Sequence, residues 1–327
     1  MPGSSGTVQR GWAYRGFDAV ILENDQLRVA VLPGLGAKVH QFIDKKLDRD
    51  LIYHHPRVEV RAPVFGANVD NWWTGGIDDA VPTGHPCVVD GEELPFLGEV
   101  WSMPWDVGQV TATSVQLTRE GVIWPFRLEK VLSLRPGDRF LSAQYTLANT
   151  GLADMPFLWG IHPALPVGPG TRIHVPAATA WYGSGADPQQ QLPASFSTGG
   201  QPAPWPVEPI ASLGAEPTGA WHHLFLDGLY DGWLAVTDEA EGWGFGVTFP
   251  ATVFRTVHIW VVDGGWRGIR TAVVEPWTGR PARLDEAIAQ GFAMTLQPGD
   301  SLTATVRFIA FDGRHQVSGF SAEGEPL

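Results

Sequence analysis

The sequence predicts a mostly-β protein, a large antiparallel β-sandwich with very little helix. Apolar and polar residues alternate in many short runs, and this period of two is typical of strands that bury one face. Helical periodicity is confined to residues 283–290, where Gly291 follows as a stop signal. A parallel sheet needs a helix at almost every crossover, so many strands with hardly any helix favour an antiparallel arrangement.

The clearest strand patterns are at residues 141–147 and 302–308. Each follows a Pro-Gly turn, and such turns join antiparallel neighbours. Further strands are predicted at residues 20–23, 27–32, 38–43, 109–117, 123–134, 156–161, 223–226, 233–237, 244–249, 257–262 and 271–274.

Residues 1–327 are predicted to form one β-sandwich domain, although two average domains would also fit this length. Residues 183–218 are rich in Pro, Gly, Gln, Ser and Ala and show little periodicity. They are predicted to form a long surface excursion. Strand patterns of the same kind lie on both sides, so no domain boundary is placed there.

Charge and composition exclude several classes of function. The chain has 22 Lys and Arg against 35 Asp and Glu, and its net charge of -13 repels nucleic acids and anionic membranes. No apolar run could cross a bilayer, and residues 1–14 lack a signal-peptide pattern. The single cysteine, Cys87, fits a reducing compartment. We expect a cytoplasmic protein that binds a small-molecule carbohydrate, with no nucleic acid and no membrane partner.

Residues 71–87 form the most distinctive cluster, because aromatic, acidic and glycine residues stand side by side. They predict an aromatic wall beside a polar pocket rim, which suits stacking on sugar rings. The alternative is a Gly-Pro loop with solvated acids and core tryptophans. The candidate binding residues in this segment are Trp72, Trp73, Asp78, Asp79 and His85. Residues 94–107 add Glu99 and Trp101 as weaker candidates.

Two further residues are candidates for proton transfer. His162 ends an apolar strand just before Pro163, and an imidazole with a pKa near neutrality can pass a proton to a substrate. Glu275 follows three residues typical of a buried strand, and partial burial raises a carboxyl pKa toward the range of a general base. Alternatively, His162 is a structural histidine and Glu275 pairs with Arg267 or Arg270.

Metal and cofactor motifs are missing from the sequence. The histidine pairs at residues 54–55 and 222–223 do not have the spacing of metal ligands, and there is no Cys-x-x-Cys or calcium loop. There is also no nucleophile elbow, phosphate-binding loop or dinucleotide fingerprint. We expect no metal and no cofactor.

Several motifs, taken in order, resemble those of the aldose 1-epimerase or galactose mutarotase-like superfamily. Residues 32–39 read Leu-Pro-Gly-Leu-Gly-Ala-Lys-Val, and residues 75–83 read Gly-Gly-Ile-Asp-Asp-Ala-Val-Pro-Thr. Residues 160–163 read Gly-Ile-His-Pro, and residues 274–276 read Val-Glu-Pro. The resemblance implies a β-sandwich with a sugar cleft on one concave face.

The resemblance also implies a reaction, namely opening of a sugar ring. Glu275 would take the proton of the anomeric hydroxyl while His162 protonates the ring oxygen. Asp227 is a possible match for the aspartate that contacts sugar hydroxyls in the family, and Trp277 is a further candidate for substrate binding. The chain departs from the pattern at Leu97, where the family usually has a histidine before glycine. Binding without catalysis, or another isomerase or lyase reaction, therefore remains an alternative.

Overall fold

The computed structural model describes residues 6–183, 201–314 and 316–327. In these ranges the chain forms 24 strands and two short helices. The first twelve strands are β1 (Thr7–Tyr14), β2 (Phe17–Glu23), β3 (Leu27–Leu32), β4 (Lys38–Asp44), β5 (Arg49–Asp50), β6 (Ile77–Ala80), β7 (Cys87–Val89), β8 (Glu92–Leu94), β9 (Asp106–Val110), β10 (Ser114–Glu120), β11 (Phe126–Ser133) and β12 (Phe140–Asn149). The others are β13 (Met155–Phe157), β14 (Gly160–Pro166), β15 (Thr171–His174), β16 (Thr179–Tyr182), β17 (Ala203–Pro204), β18 (Ala220–Asp227), β19 (Trp233–Asp238), β20 (Trp243–Thr248), β21 (Thr256–Asp263), β22 (Arg270–Trp277), β23 (Met294–Leu296) and β24 (Ser301–Asp312). The helices are α1 (Val69–Trp72) and α2 (Leu284–Ala289).

Two large antiparallel sheets contain most of these strands. The larger sheet has the order β1-β2-β3-β4-β6-β14-β22-β21-β18-β16-β17, with β5 paired to β4. The smaller sheet has the order β15-β19-β20-β24-β12-β11-β10-β9, and β7-β8 and β13-β23 form separate pairs. This arrangement confirms the predicted mostly-β sandwich. Neither helix in the described part of the chain is long and apolar enough to span a membrane.

The core lies between the two large sheets. One continuous cluster of buried apolar residues includes side chains of both. Phe42 of β4 and Phe245 of β20 meet across the interface with ring centroids 5.4 Å apart. Burial of each such aromatic ring stabilises the fold by roughly 1.5–3 kcal/mol. The sheets are also joined by a buried ion pair, in which Lys130 Nζ of β11 lies 2.7 Å from Asp79 Oδ2 of β6.

Several predicted elements differ in detail from the structure. The strand predicted at residues 109–117 is the β9-β10 hairpin, because Thr111 Oγ1 accepts the amide hydrogens of Thr113 and Ser114 in a turn. The strand predicted at residues 156–161 covers the end of β13 and the start of β14. The short strands β5 to β8, β15 to β17 and β23, and the edge strand β1, were not predicted. Most of them are too short to show a period.

The predicted excursion at residues 183–218 is only partly within the described residues, because 184–200 lie outside them. Its C-terminal part contains β17 and the buried side chains of Trp205, Val207 and Ile210. This part therefore packs some side chains on the core, while residues 214–218 are exposed.

Candidate active site

A cavity of about 480 Å³ lies against the larger sheet. Its lining includes side chains from the adjacent central strands β14, β22, β21 and β18. Along each strand every second side chain points to the same face of the sheet. Seven of the lining residues come from these strands: His162, Glu275, Trp277, His258, Trp260, Trp221 and His223. The central strands of the sheet therefore supply both titratable and aromatic groups to one site.

The strand register explains why the two catalytic candidates meet. Gly160 pairs with Trp277 and Ala164 pairs with Val273, and this register places His162 directly opposite Glu275. Directly opposite residues on antiparallel strands point to the same face. His162 Nε2 lies 3.9 Å from Glu275 Oε1. His162 and Glu275, which are far apart in sequence, are therefore neighbours on the cavity floor.

Burial shifts the pKa values of both groups in opposite directions. It raises the pKa of Glu275 to about 8, although the Trp277 indole N–H, which donates to Oε2 at 2.9 Å, acts against this shift. Burial lowers the pKa of His162 to about 3, and the Lys38 ammonium lowers it further. Between these two values the pair holds one proton. These shifts favour a protonated Glu275 carboxyl group and a neutral His162 imidazole.

Three more histidines line the same cavity. His258 pairs with Glu275 across β21 and β22 and stacks on Trp277, with centroids 4.8 Å apart and planes 12° apart. Its Nε2 lies 3.1 Å from the Gly279 carbonyl oxygen, which can only accept, so Nε2 carries the hydrogen. His223 lies 5.4 Å from His85 between ring centroids. Burial lowers the pKa of each of these histidines, so they are neutral donors and acceptors suited to sugar hydroxyls.

Aromatic rings form the walls of the cavity. Trp73 meets His162 edge to face at 5.8 Å and Trp260 at 5.7 Å, and it stacks on Tyr53. Trp266 packs against Trp260 at 5.3 Å. Flat apolar faces of this kind stack on the C–H faces of sugar rings.

The structure brings together five of the residues singled out in the sequence. The cavity lining includes His162, Glu275, Trp73, His85 and Trp277. Leu97 also lines it, so an apolar side chain stands where the resemblance expects a histidine. Neither arginine proposed to neutralise Glu275 bonds to it: Arg270 pairs with Asp263, and Arg267 bonds to Asp70 and Asn71.

The four other acidic candidates are not among the lining residues. Asp78 accepts from Lys38 at 2.7 Å, and Asp79 accepts from Lys130 at 2.7 Å. Glu99 accepts the backbone N–H groups of residues 122–124. Asp227 forms an ion pair with Arg280. Their carboxylates are thus engaged in internal contacts of the fold.

Two tryptophan candidates also lie outside the lining. Trp101 is buried, and its indole N–H donates to the Phe96 carbonyl oxygen at 2.9 Å. Trp72 carries the Arg61 guanidinium over its ring at 4.1 Å. Of the adjacent residues Trp72 and Trp73, Trp73 is the one that lines the cavity.

His223 and His258 were not identified as site residues from the sequence. Both lie within predicted strands. In β21, seven of eight residues are buried, so apolar and polar residues do not alternate and the sequence does not show which side chains face the cavity. Among the described residues, no group of three or more His, Cys, Asp or Glu is arranged to hold a metal ion.

These features define a mostly-β sandwich with a histidine-carboxyl pair in an aromatic cavity, and solved structures share this fold. A galactose mutarotase-like protein from Clostridium acetobutylicum superposes with a TM-score of 0.71 at 12% identity, over 94% of this chain and 99% of that one. A candidate aldose 1-epimerase from Klebsiella pneumoniae gives 0.72 at 15% identity, over 94% and 84%. One from Escherichia coli gives 0.63 at 20% identity, over 89% and 98%. No family model matches the sequence. The chain therefore has the galactose mutarotase-like fold.

Proposed function

We propose that this protein is an aldose 1-epimerase-like enzyme that interconverts the anomers of a neutral sugar. The observation that carries the proposal is the pair of His162 and Glu275, 3.9 Å apart on the floor of an aromatic cavity. The shared fold supports it. A cytoplasmic location belongs to the proposal and is supported by the single cysteine, Cys87.

The reaction needs one group to donate a proton and one to accept it, and the pair holds one proton. One member protonates the ring oxygen while the other takes the proton of the anomeric hydroxyl, so the ring opens to the aldehyde. Rotation about the C1–C2 bond exposes the other aldehyde face, and closure reverses both transfers. The resemblance assigns the base to Glu275 and the acid to His162, whereas burial favours the proton on Glu275 before substrate binds. The pair holds one proton whether that proton is on Glu275 or on His162. We therefore expect kcat/KM to be constant between the pKa values of His162 and Glu275 and to fall above about pH 8.

The charges around the cavity favour a neutral substrate. No described lining residue is Lys or Arg, and residues 184–200 contain neither in the sequence. The acidic residues Asp70 and Glu275 are both among the lining residues. A sugar carboxylate or phosphate would have no Lys or Arg among the described lining residues to meet it.

A direct test is to measure anomer interconversion by NMR, above the spontaneous rate, for a panel of neutral hexoses, pentoses, uronic acids and sugar phosphates. We expect acceleration for at least one neutral sugar and a loss of about 10²–10⁴ in kcat/KM for Glu275→Gln and for His162→Gln. The matched control is Glu93→Gln, an exposed glutamate, which should retain full activity. If no sugar is converted, or if Glu275→Gln is fully active, the proposal is wrong.

The second candidate is a carbohydrate-binding protein on the same scaffold, favoured by Leu97 at the position of the missing histidine. The same NMR experiment separates the two, because binding without catalysis shifts sugar resonances and leaves the anomer exchange rate unchanged. An unsaturated or isomerised product would instead indicate a lyase or another isomerase.

A further inference from the structure

A second cavity, of about 370 Å³, lies apart from the candidate active site and shares no lining residue with it. Its residues come from the end of β1, from β4, from the loop after β5 and from the segment between α1 and β6. They are Tyr14, Arg15, His40, His54, His55, Pro56, Arg57, Val58, Glu59, Val60 and Thr74. We call this set the histidine-arginine cavity.

Its floor contains buried polar groups that lack partners among the described residues. His40 is 1% exposed, and neither of its ring nitrogens has a hydrogen-bond partner there. Thr74 Oγ1 and His55 Nε2 are in the same situation in residues that are 3% and 7% exposed. A buried donor or acceptor without a partner costs about 1–3 kcal/mol. Three such residues are among those that line one cavity, so hydrogen-bonding capacity that the described residues leave unused lies beside it.

The hydrogen-bonding roles on this floor are fixed in part by the backbone. His55 Nδ1 accepts the N–H groups of Arg57 and Val58, both at 3.1 Å. In a neutral imidazole the other ring nitrogen then carries the hydrogen, so His55 Nε2 is a hydrogen-bond donor. The His40 ring packs 4.5 Å from that of Tyr14 and 4.7 Å from that of His54 and carries at least one further N–H, and Thr74 carries a hydroxyl.

The charged groups of the cavity favour an anion. Arg15 and Arg57 are exposed lining residues, and the only lining carboxylate in the described chain is that of Glu59. His54 Nε2 is already 2.9 Å from Asp50 Oδ2. Arg57 is held in place by a hydrogen bond to the Arg267 carbonyl oxygen. The lining thus combines two guanidinium groups with several neutral donors, which matches the acceptor oxygens of a carboxylate or a phosphate.

We propose that the histidine-arginine cavity is a binding site for a small oxyanion, a carboxylate or phosphate group carried by a small molecule. The volume accommodates a ligand of monosaccharide size. The site is separate from the active-site cavity, but Trp73 lines the first cavity and the adjacent Thr74 lines the second. The proposal concerns binding alone and stands whether or not the protein is an epimerase.

Isothermal titration calorimetry of the full chain at constant low ionic strength tests this proposal. The probes are inorganic phosphate, acetate, glucose 6-phosphate and gluconate. We expect saturable 1:1 binding of at least one of them, and the phosphate and carboxylate arms identify the preferred group. Thr74→Val and Arg15→Gln should each weaken binding by about tenfold, the value of one hydrogen bond to a charged group. Arg61→Gln is the matched control, since Arg61 is an exposed arginine placed over Trp72 and outside this lining.

A second readout separates the two cavities. Glu275→Gln should leave oxyanion binding unchanged, whereas an affinity that changes in this variant, in either direction, would place the anion in the first cavity and overturn the proposal. Absence of saturable binding for all four probes would also overturn it, as would binding that Thr74→Val and Arg15→Gln leave unaltered. Thermal unfolding of each variant without ligand checks that it is folded.

Discussion

Three buried carboxyl groups on strands β6 and β22 of the larger sheet differ in their partners. Asp78, Asp79 and Glu275 are each no more than 3% exposed. The two aspartates each accept from a lysine ammonium at 2.7 Å, whereas Glu275 accepts an indole N–H and lies 3.9 Å from His162. A cation beside a buried carboxylate favours the ionised form and lets the pair join parts of the fold, whereas burial without a cation raises the pKa of a carboxyl group. The comparison distinguishes structural carboxylates from the one suited to proton transfer.

The largest expected effect is on stability, when one aspartate is made to resemble Glu275. Lys130→Met removes the ammonium and leaves Asp79 buried without a cation, which should lower the free energy of unfolding by about 3–5 kcal/mol. Urea denaturation at pH 7 measures it. The double variant Lys130→Met with Asp79→Leu removes both charges and should recover most of the loss. A single variant as stable as the unmodified protein would mean that the ion pair does not join the sheets.

The next effect concerns Glu275 itself and depends on pH. In the unfolded chain its pKa is near the ordinary 4.5, and burial raises the folded value to about 8. Below about pH 4.5 the Glu275 carboxyl group is protonated in both the folded and the unfolded protein. Between the two values only the unfolded state ionises, so the folded protein loses stability as pH rises, and above the upper value the loss is constant. Glu275→Gln should therefore gain stability relative to the unmodified protein, on the order of a few kcal/mol, as pH rises through this window.

Urea denaturation of both proteins at several pH values checks this prediction. The relevant quantity is the change with pH of the stability difference, because any fixed effect of the amide group then cancels. Glu93→Gln, at an exposed position, should show no such change. A stability difference that is independent of pH would mean that Glu275 ionises normally in the folded protein.

The difference between the carboxylates could not be predicted from the sequence. Asp78 and Asp79 stand next to two tryptophans and two glycines, so local composition indicated a binding rim. Their partners Lys38 and Lys130 are distant in sequence, and no local pattern connects them. The adjacent aspartates point to opposite faces of the sheet because strand residues alternate, so Asp79 reaches the smaller sheet.

The fold was more accessible, since strand periodicity depends on neighbours within a few residues. The alternation at residues 141–147 and 302–308 correctly predicted β12 and β24, which are adjacent in the smaller sheet. In the central strands of the larger sheet both faces are buried, so the sequence shows apolar runs without a phase. For this reason His258 was not singled out, whereas His162 and Glu275 were, through predicted strand ends and the family resemblance. The predicted strand ends were wrong, because His162 lies within β14 and Glu275 lies within β22.

The smallest effect should come from the single hydrogen bond that opposes the burial of Glu275. The Trp277 indole N–H donates to Oε2 at 2.9 Å and favours the ionised carboxylate, so Trp277→Phe should raise the pKa of Glu275 further. The alkaline fall in kcat/KM should then move upward by about one pH unit, as expected for the loss of one hydrogen bond to a charged group. Trp260→Phe also alters the aromatic wall, but Trp260 does not bond to Glu275, so its alkaline fall should stay in place. A shift of equal size in both variants would indicate that the aromatic environment in general, and not this hydrogen bond, sets the proton affinity of Glu275.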